Sequence, residues 1–317
     1  MSDMEQLLQG LRAAGEETRL RLLVLCGHAE LTVSEIIQIL GQSQPRVSRH
    51  LKLLCEAGLL DRFQEGSWVF YRLASKGENA LLARYLVDLT EENDPVVAMD
   101  LERLAAVRKA RQDVAFAYFK KNASRWNEIR SLHVDEGEVE ARLLKVIKDH
   151  KAKKGAQIVD FLDIGTGTGR ILELLSSEAE YAVGVDNSRE MLGYARAAIE
   201  DKGLRNCQVR QGDMYTLPFG NNSQDLVVIH QVLHYADRPK EVLQEARRVM
   251  RPGALLVIVD FGPHNVKSLQ EEHAHQQMGF AAKDIERMCS ELGFSIISTE
   301  TLSGNPLTVN IWSAEAT

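Results

Sequence analysis

Between Ile158 and Leu175 an apolar run breaks on three glycines and then resumes. Ile158 to Leu162 reads as a strand, Asp163-Ile164-Gly165-Thr166-Gly167-Thr168-Gly169 as a turn, and Ile171 to Leu175 as the start of a helix. Glycines at such a turn adopt conformations closed to other residues and let backbone amides approach a ligand at the carboxyl end of a strand. Further apolar runs follow. Tyr181 to Val185 leads to Asp186 and Asn187, Val209 to Gln211 leads to Gly212-Asp213-Met214, and Leu226 to Ile229 leads to His230-Gln231. Arg251-Pro252-Gly253 precedes a last such run, Ala254 to Asp260. Strand-like runs alternating with helical stretches predict an α/β unit with a mostly parallel sheet.

The acids at successive strand ends give this turn its chemistry. Asp186 lies about 20 residues beyond the first glycine, the distance at which a carboxylate accepts from ribose hydroxyls. Asp213 can accept from an adenine amino group. The dinucleotide pattern GxGxxG fits poorly, because position 170 is arginine. Met191 reads either as core or as a platform for adenine. The series resembles the class I S-adenosylmethionine-dependent methyltransferases over Gln157 to Trp312. That resemblance implies a Rossmann-like fold with a seven-stranded, mostly parallel sheet and a site for S-adenosylmethionine or S-adenosylhomocysteine. It assigns Asp163, Gly165, Gly167 and Gly169 to the methionine end, with Thr166 expected in the same site. Asp186 goes to the ribose, Asp213 with Met214 to the adenine and His230 to the sulfur side, and Asn187, Met191, Gly212 and Gln231 are expected to line the same site.

The first 90 residues have another pattern. Leucine-rich helical stretches lead to Leu31-Thr32-Val33-Ser34-Glu35-Ile36, where Thr32 and Glu35 have capping-box spacing. Gly41 supplies a turn, Ser43 a second cap, and Pro45 falls in the first turn of the next helix. Val47, Leu51 and Leu54 then share one face, so Arg46, Arg49, His50 and Lys52 fall on the others. Leu60 to Phe63 and Val69 to Leu73 alternate as strands around a tip at Glu65-Gly66-Ser67. The helix predicted over Glu78 to Leu89 carries an apolar stripe suited to dimer packing. Asp94-Pro95 reads as the cap and first residue of another helix.

Thr18 to Leu23, Ser43 to Lys52 and Glu56 to Leu60 resemble the ArsR/SmtB winged-helix repressors. The resemblance implies an α+β winged helix-turn-helix dimer bound to double-stranded DNA. Gln44, Arg46, Ser48, Arg49 and His50 then suit base edges, Lys52, Arg62 and Arg72 suit phosphate, and Ser43 at the helix start joins the DNA-binding set. The family's wing tip usually carries Gly-Arg, and Gly66-Ser67 departs from it. No metal is expected, since the helix that carries a Cys-x-Cys pair in metal sensors reads Thr32-Val33-Ser34-Glu35 and the helix after the wing has no histidine. The net charge of −7 requires any DNA contact to be local, and Ser43 to Lys52 holds basic residues without an acid.

The expected organisation is a DNA-binding and dimerisation domain over 1–92, a helical linker and lid over 93–150, and a methyltransferase-like domain over 151–317. Within the linker, Tyr118, Trp126, Arg130 and His133 fall on roughly one helical side. They read either as a lid, with Arg130 forking to a ligand carboxylate, or as an amphipathic helix docked on the sheet. Nothing in the chain calls for a membrane, and Met1 to Leu8 lacks the marks of a secretory signal, so a cytoplasmic location is expected. The functional expectation is a regulator, reading as a repressor, whose second domain senses S-adenosylmethionine or S-adenosylhomocysteine. By family likeness its targets are genes of the methionine and S-adenosylmethionine cycle. The alternative is an active small-molecule methyltransferase with an autoregulatory DNA-binding domain. Acid–base candidates for catalysis are few: His234, Tyr235, and Glu271-Glu272-His273-x-His275.

Overall fold

Thr32 and Glu35 close a reciprocal capping box: the Thr32 hydroxyl accepts from Glu35 N at 3.3 Å, and the Glu35 carboxylate accepts from Thr32 N at 2.8 Å. The helix they start, α3 (Val33–Leu40), ends on Gly41 in the left-handed region, φ 65°. The computed structural model that shows this describes residues 3–65, 68–110, 135–155, 157–266, 276–304 and 307–317. The chain divides into two compact units, Met1–Val114 and Ala115–Thr317.

In the first unit, α1 (Asp3–Ala14), α2 (Glu17–His28) and β1 (Leu31–Thr32) precede α3. Then come α4 (Gln44–Glu56), β2 (Leu60–Glu65), β3 (Trp68–Leu73) and α5 (Ala80–Asp88). Val47, Leu51 and Leu54 of α4 are buried, as their spacing predicts. Ser43 occupies the N-cap of α4, but its hydroxyl makes no capping bond, contrary to expectation. The hairpin gains a strand that the sequence pattern did not suggest: β1 pairs antiparallel with β3, giving the order β1-β3-β2. The wing tip at Gly66-Ser67 lies outside the described residues.

Asp94 caps a helix over 95–110, here α6, by accepting from Val96 N at 2.9 Å and Val97 N at 3.2 Å. This helix packs within the first unit. Val97, Leu104 and Val107 are buried, the last two in the same core as Leu22, Leu51 and Leu54. The Arg21 guanidinium forks onto the buried Asp100 carboxylate at 2.7 and 2.9 Å. The linker expected from residue 93 onward therefore begins as an integral layer of the first unit.

The second unit starts with α7 (Glu136–Lys154), then β4 (Ile158–Ile164), α8 (Arg170–Leu175), β5 (Ala179–Asp186), α9 (Arg189–Asp201), β6 (Cys207–Gln211) and β7 (Gln224–His230). It continues with α10 (Pro239–Val249), β8 (Met250–Phe261), α11 (Ala282–Glu291), β9 (Phe294–Leu302) and β10 (Val309–Ala316). Among the described residues, seven strands form one sheet in the order β6-β5-β4-β7-β8-β10-β9, with only β10 running against its neighbours. Side chains alternate between two core layers. Phe161 and Val228 pack with Val139, Leu143 and Ile147 of α7, while Leu162, Val227 and Ile229 pack with Val242 and Leu243 of α10 and Ile285 of α11. Strands buried on both faces explain the near-continuous apolar runs. At the amino end of the sheet Arg251 ties Asp160 to Asp225 at 2.8 and 2.7 Å. No helix among the described residues is long and apolar enough to cross a membrane.

Asp100→Ala removes the bidentate partner of the half-buried Arg21 guanidinium, a loss of charge-assisted hydrogen bonds that costs about 1.5–3 kcal/mol. Hydrogen exchange of the slowest α2 amides in the full chain should show destabilisation of that order, and unchanged protection would refute the assignment.

Candidate functional site

The chain leaves β4, forms β5 and β6 on one side, and returns to form β7 on the other. Between β4 and β7 the strand order reverses, which opens a crevice at their carboxyl ends. Asp163 lies there, opposite Gly184 on β5 and Val228 on β7.

The turn after it is held by backbone bonds. Gly165 N and Thr166 N both donate to Val185 O, at 2.8 and 3.0 Å. Gly165 has φ 74°, and a Cβ on it would lie 2.2 Å from Val232, so only glycine lets the segment after β7 close against the turn. Gly167 also has positive φ, 53°, but a Cβ there would meet nothing within 4 Å. Its conformation requires glycine, and its open side leaves room for another molecule beside the backbone.

Asp163 is buried, yet among the described residues neither of its carboxyl oxygens has a hydrogen-bond partner, and the buried Thr166 hydroxyl beside it has none either. Burial drives the Asp163 carboxyl up to about 7. The nearby Asp186 charge adds to the rise and Thr166 opposes it. A buried carboxyl without a partner is costly, and few persist without a functional reason. Asp186 differs. Its Oδ2 accepts from Gly167 N at 2.9 Å and its Oδ1 from Ser188 N at 2.8 Å, so it ties the glycine turn to the start of α9. Each oxygen keeps a lone pair for a further donor.

The remaining residues at this edge follow the strand ends. Asn187 is exposed, and its carbonyl accepts from Gln211. Met191, in the first turn of α9, and Gly212 are half-buried. Asp213 is exposed and accepts from Tyr215 N at 2.9 Å, while Met214 packs against the core. His230 ends β7, and burial lowers its imidazole to about 4 even though part of its surface reaches solvent. Gln231 follows with φ 52°, in the region that favours glycine, and its N–H donates to Val259 O. Such a conformation costs free energy and clusters at functional sites. Trp126 and Arg130 lie outside the described residues, as do Glu271 to His275.

Two pairings escaped sequence reasoning. Arg170, which opens α8, forks onto Glu140 of α7 at 2.7 and 2.6 Å, so the arginine that spoils the dinucleotide pattern anchors the turn's helix. The His234 ring, in the short turn Leu233–Tyr235, bonds Asp260 through Nδ1 at 2.8 Å, and His234 N donates to the same carboxylate. Both residues are buried, and the imidazole packs 4.2 Å from the Tyr235 ring and 5.0 Å from Phe261. Residues far apart in the chain give no local signal of such pairs.

In the first unit, Ser43, Gln44, Arg46, Ser48, Arg49 and Lys52 are exposed on α4 or at its cap, and Arg62 is exposed on β2. Lys52 lies 3.7 Å from Glu56. Two expectations need correction. Arg72 is buried at 5% exposure between Glu30 and Asp61 and over the Phe63 ring, so it cannot reach phosphate. His50 is turned towards Glu16, the capping residue of α2, with Nδ1 3.7 Å from its carboxylate, which removes it from the exposed face of α4.

Residues 16–62 match the model of bacterial regulatory proteins of the arsR family, and residues 162–258 match a methyltransferase domain. The uncharacterized protein MJ1123 of Methanocaldococcus jannaschii is 32% identical over 149 residues, covering 44% of this chain and 67% of that one. The ubiquinone/menaquinone biosynthesis C-methyltransferase UbiE of Coxiella burnetii is 35% identical over 114 residues, 34% of this chain and 45% of its own. Among solved structures, YcgJ of Bacillus subtilis superposes with a TM-score of 0.47 at 18% identity, covering 55% of this chain and 97% of its own. The chain spans less than half the length of several curated relatives that it matches.

The Asp163 proton gives a signed pH dependence. The folded carboxyl titrates near 7 against an ordinary 3.8. The stability gained by keeping the proton is complete below about pH 4 and lost as pH rises through about 7. Asp163→Asn should therefore stabilise the second unit by a few kcal/mol at pH 8 and leave it unchanged near pH 4. Equal effects at both pH values in chemical denaturation would contradict the assignment.

Proposed function

We propose that this chain, whose residues 16–62 match the arsR-family model and whose residues 162–258 match a methyltransferase domain, is a ligand-controlled transcriptional repressor. Its methyltransferase-like unit senses S-adenosylmethionine or S-adenosylhomocysteine, and its targets are genes of the methionine and S-adenosylmethionine cycle, an extension that rests on family likeness alone. The observation that carries the ligand assignment is the buried Asp163, which has no hydrogen-bond partner among the described residues, beside an open glycine turn. An α-ammonium group supplies the donors and positive charge that this carboxylate lacks. The remaining groups fit the same molecule. Asp186 has lone pairs for ribose hydroxyls, Asn187 lies beside it, and Met191, Gly212, Asp213 and Met214 border the adenine end. His230, neutral at physiological pH, sets no positive charge against a sulfonium, so either form of the ligand fits.

On the DNA side, α4 offers Ser43, Gln44, Arg46, Ser48 and Arg49 to base edges, with Lys52 and Arg62 for phosphate. A homodimer is supported by the apolar residues exposed on α5, Leu81 and Tyr85, at its C-cap, Leu89, and on α1, Met4, Leu7, Leu8 and Leu11. Regulation requires that the ligand bind the DNA-competent and incompetent states with different affinity, about 1.4 kcal/mol for each tenfold.

A second reading, catalysis of methyl transfer to a small molecule, is favoured by the His234–Asp260 pair. A carboxylate on Nδ1 fixes the imidazole tautomer and supports acid–base work of the kind a protonated acceptor needs.

Two titrations test the proposal. Calorimetry should show binding of S-adenosylhomocysteine, S-adenosylmethionine or both, abolished by Asp163→Ala. Fluorescence anisotropy with a duplex selected by the protein from a random pool should show at least a tenfold change in DNA affinity on adding the ligand. Neither ligand altering DNA affinity would refute the sensor reading. In the same assay Arg49→Ala should weaken selected DNA by about 1–3 kcal/mol and relax its sequence preference, whereas an equal loss on random DNA would reassign Arg49 to phosphate.

A further inference from the structure

Two helices of the first unit end on carbonyls that have no helical donor, and one element caps both. Ile39, in the last turn of α3, accepts from Arg103 Nη1 at 2.8 Å. His28, which closes α2, accepts from the Arg108 guanidinium. The last carbonyls of a helix carry the negative end of its dipole, so a guanidinium there meets both an orphan acceptor and a partial charge. Arg103 and Arg108 both belong to α6, and Asp100 of the same helix holds Arg21 of α2. α6 thus straps α2 at two points and α3 at one.

The point on α3 is the consequential one. Ile39 lies just before Gly41, whose left-handed backbone sets the direction in which the chain enters α4. Whatever fixes the last turn of α3 fixes the start of the helix that exposes Arg46 and Arg49. α6 is also the last described helix before the first unit ends at Val114. On the far side of the intervening residues, α7 grips the glycine turn's helix through Glu140 and Arg170. Each end of the connection is therefore anchored by an arginine, one end at the entry to α4 and the other at the candidate ligand site.

We propose that α6 is the positioning element through which the ligand state of the second unit acts on α4, with the Arg103–Ile39 bond as its point of action. The inference rests on the sensor reading above and adds the contact that transmits it. α6 packs its buried Val97, Leu104 and Val107 into the first unit and adds charged contacts to the ends of α2 and α3, so a ligand that prefers one arrangement of those contacts can bias α4 through it.

The test uses the full-length protein, S-adenosylhomocysteine as probe, and the duplex selected from a random pool. In wild type the ratio of DNA affinities with and without the probe should be at least about tenfold. In Arg103→Met it should fall to within about twofold of unity while affinity for the probe is unchanged, and Arg103→Lys, which keeps a cation at the end of α3, should restore most of the response. Hydrogen exchange on wild type gives a readout independent of any variant: the probe should alter exchange of the Gly41 and Gln42 amides. A wild-type response that persists in Arg103→Met, or unaltered exchange at Gly41 and Gln42, overturns this proposal alone. A wild type whose DNA affinity ignores both S-adenosylhomocysteine and S-adenosylmethionine overturns the sensor reading itself.

Discussion

A buried carboxyl group with no hydrogen-bond partner among the described residues is the costly feature at the centre of the second unit's crevice. Asp163 ends up there because β4 is central in the sheet, covered on both faces, and because the chain reverses direction across the sheet next to it. Moving a charge into such surroundings without a partner is so unfavourable that the group keeps its proton nearly to neutrality. A cationic ligand changes that balance, since it provides the charge and the donors that burial removed.

The neighbouring features hold that position beside a glycine turn at the edge of the crevice. Gly165 lets Val232 close over the turn, and Gly167 leaves its outer side clear. Asp186 uses two backbone amides to hold the loop in shape, so the glycines supply conformation without loss of order. Arg170 and Glu140 tie the loop's helix to α7. Gln231, in a conformation that side chains avoid, places the end of β7 against the same crevice. Local strain and an orphaned carboxyl within one crevice mark a site for a ligand more clearly than either does alone.

Much of this was legible in the sequence because it is local. The capping box at Thr32 and Glu35, the left-handed stop at Gly41, the buried face of α4, the strand ends at Asp163, Asp186 and Asp213, and the mostly parallel sheet all follow from short-range spacing and period. What escaped reading depends on partners distant in the chain. Arg72 looked like a phosphate contact from its place on the wing, but Glu30 and Asp61 claim it. His50 looked solvent-facing on a helical wheel, yet the capping acid of α2 lies beside it. Residues 95–110 read as a linker, although Arg21 and a buried apolar stripe draw them into the first unit. In each case a partner far off in sequence overrode the local pattern.

The most direct test of the account is the proton balance of ligand binding. S-adenosylhomocysteine should be titrated into the full chain by calorimetry, in buffers of different ionisation enthalpy, at pH 6 and pH 8.5. If its ammonium pairs with the Asp163 carboxylate, binding releases close to one proton per site at pH 6, where the carboxyl starts protonated, and almost none at pH 8.5. Binding without proton release at pH 6 would contradict the pairing, and absence of binding at both pH values would remove the ligand from the account.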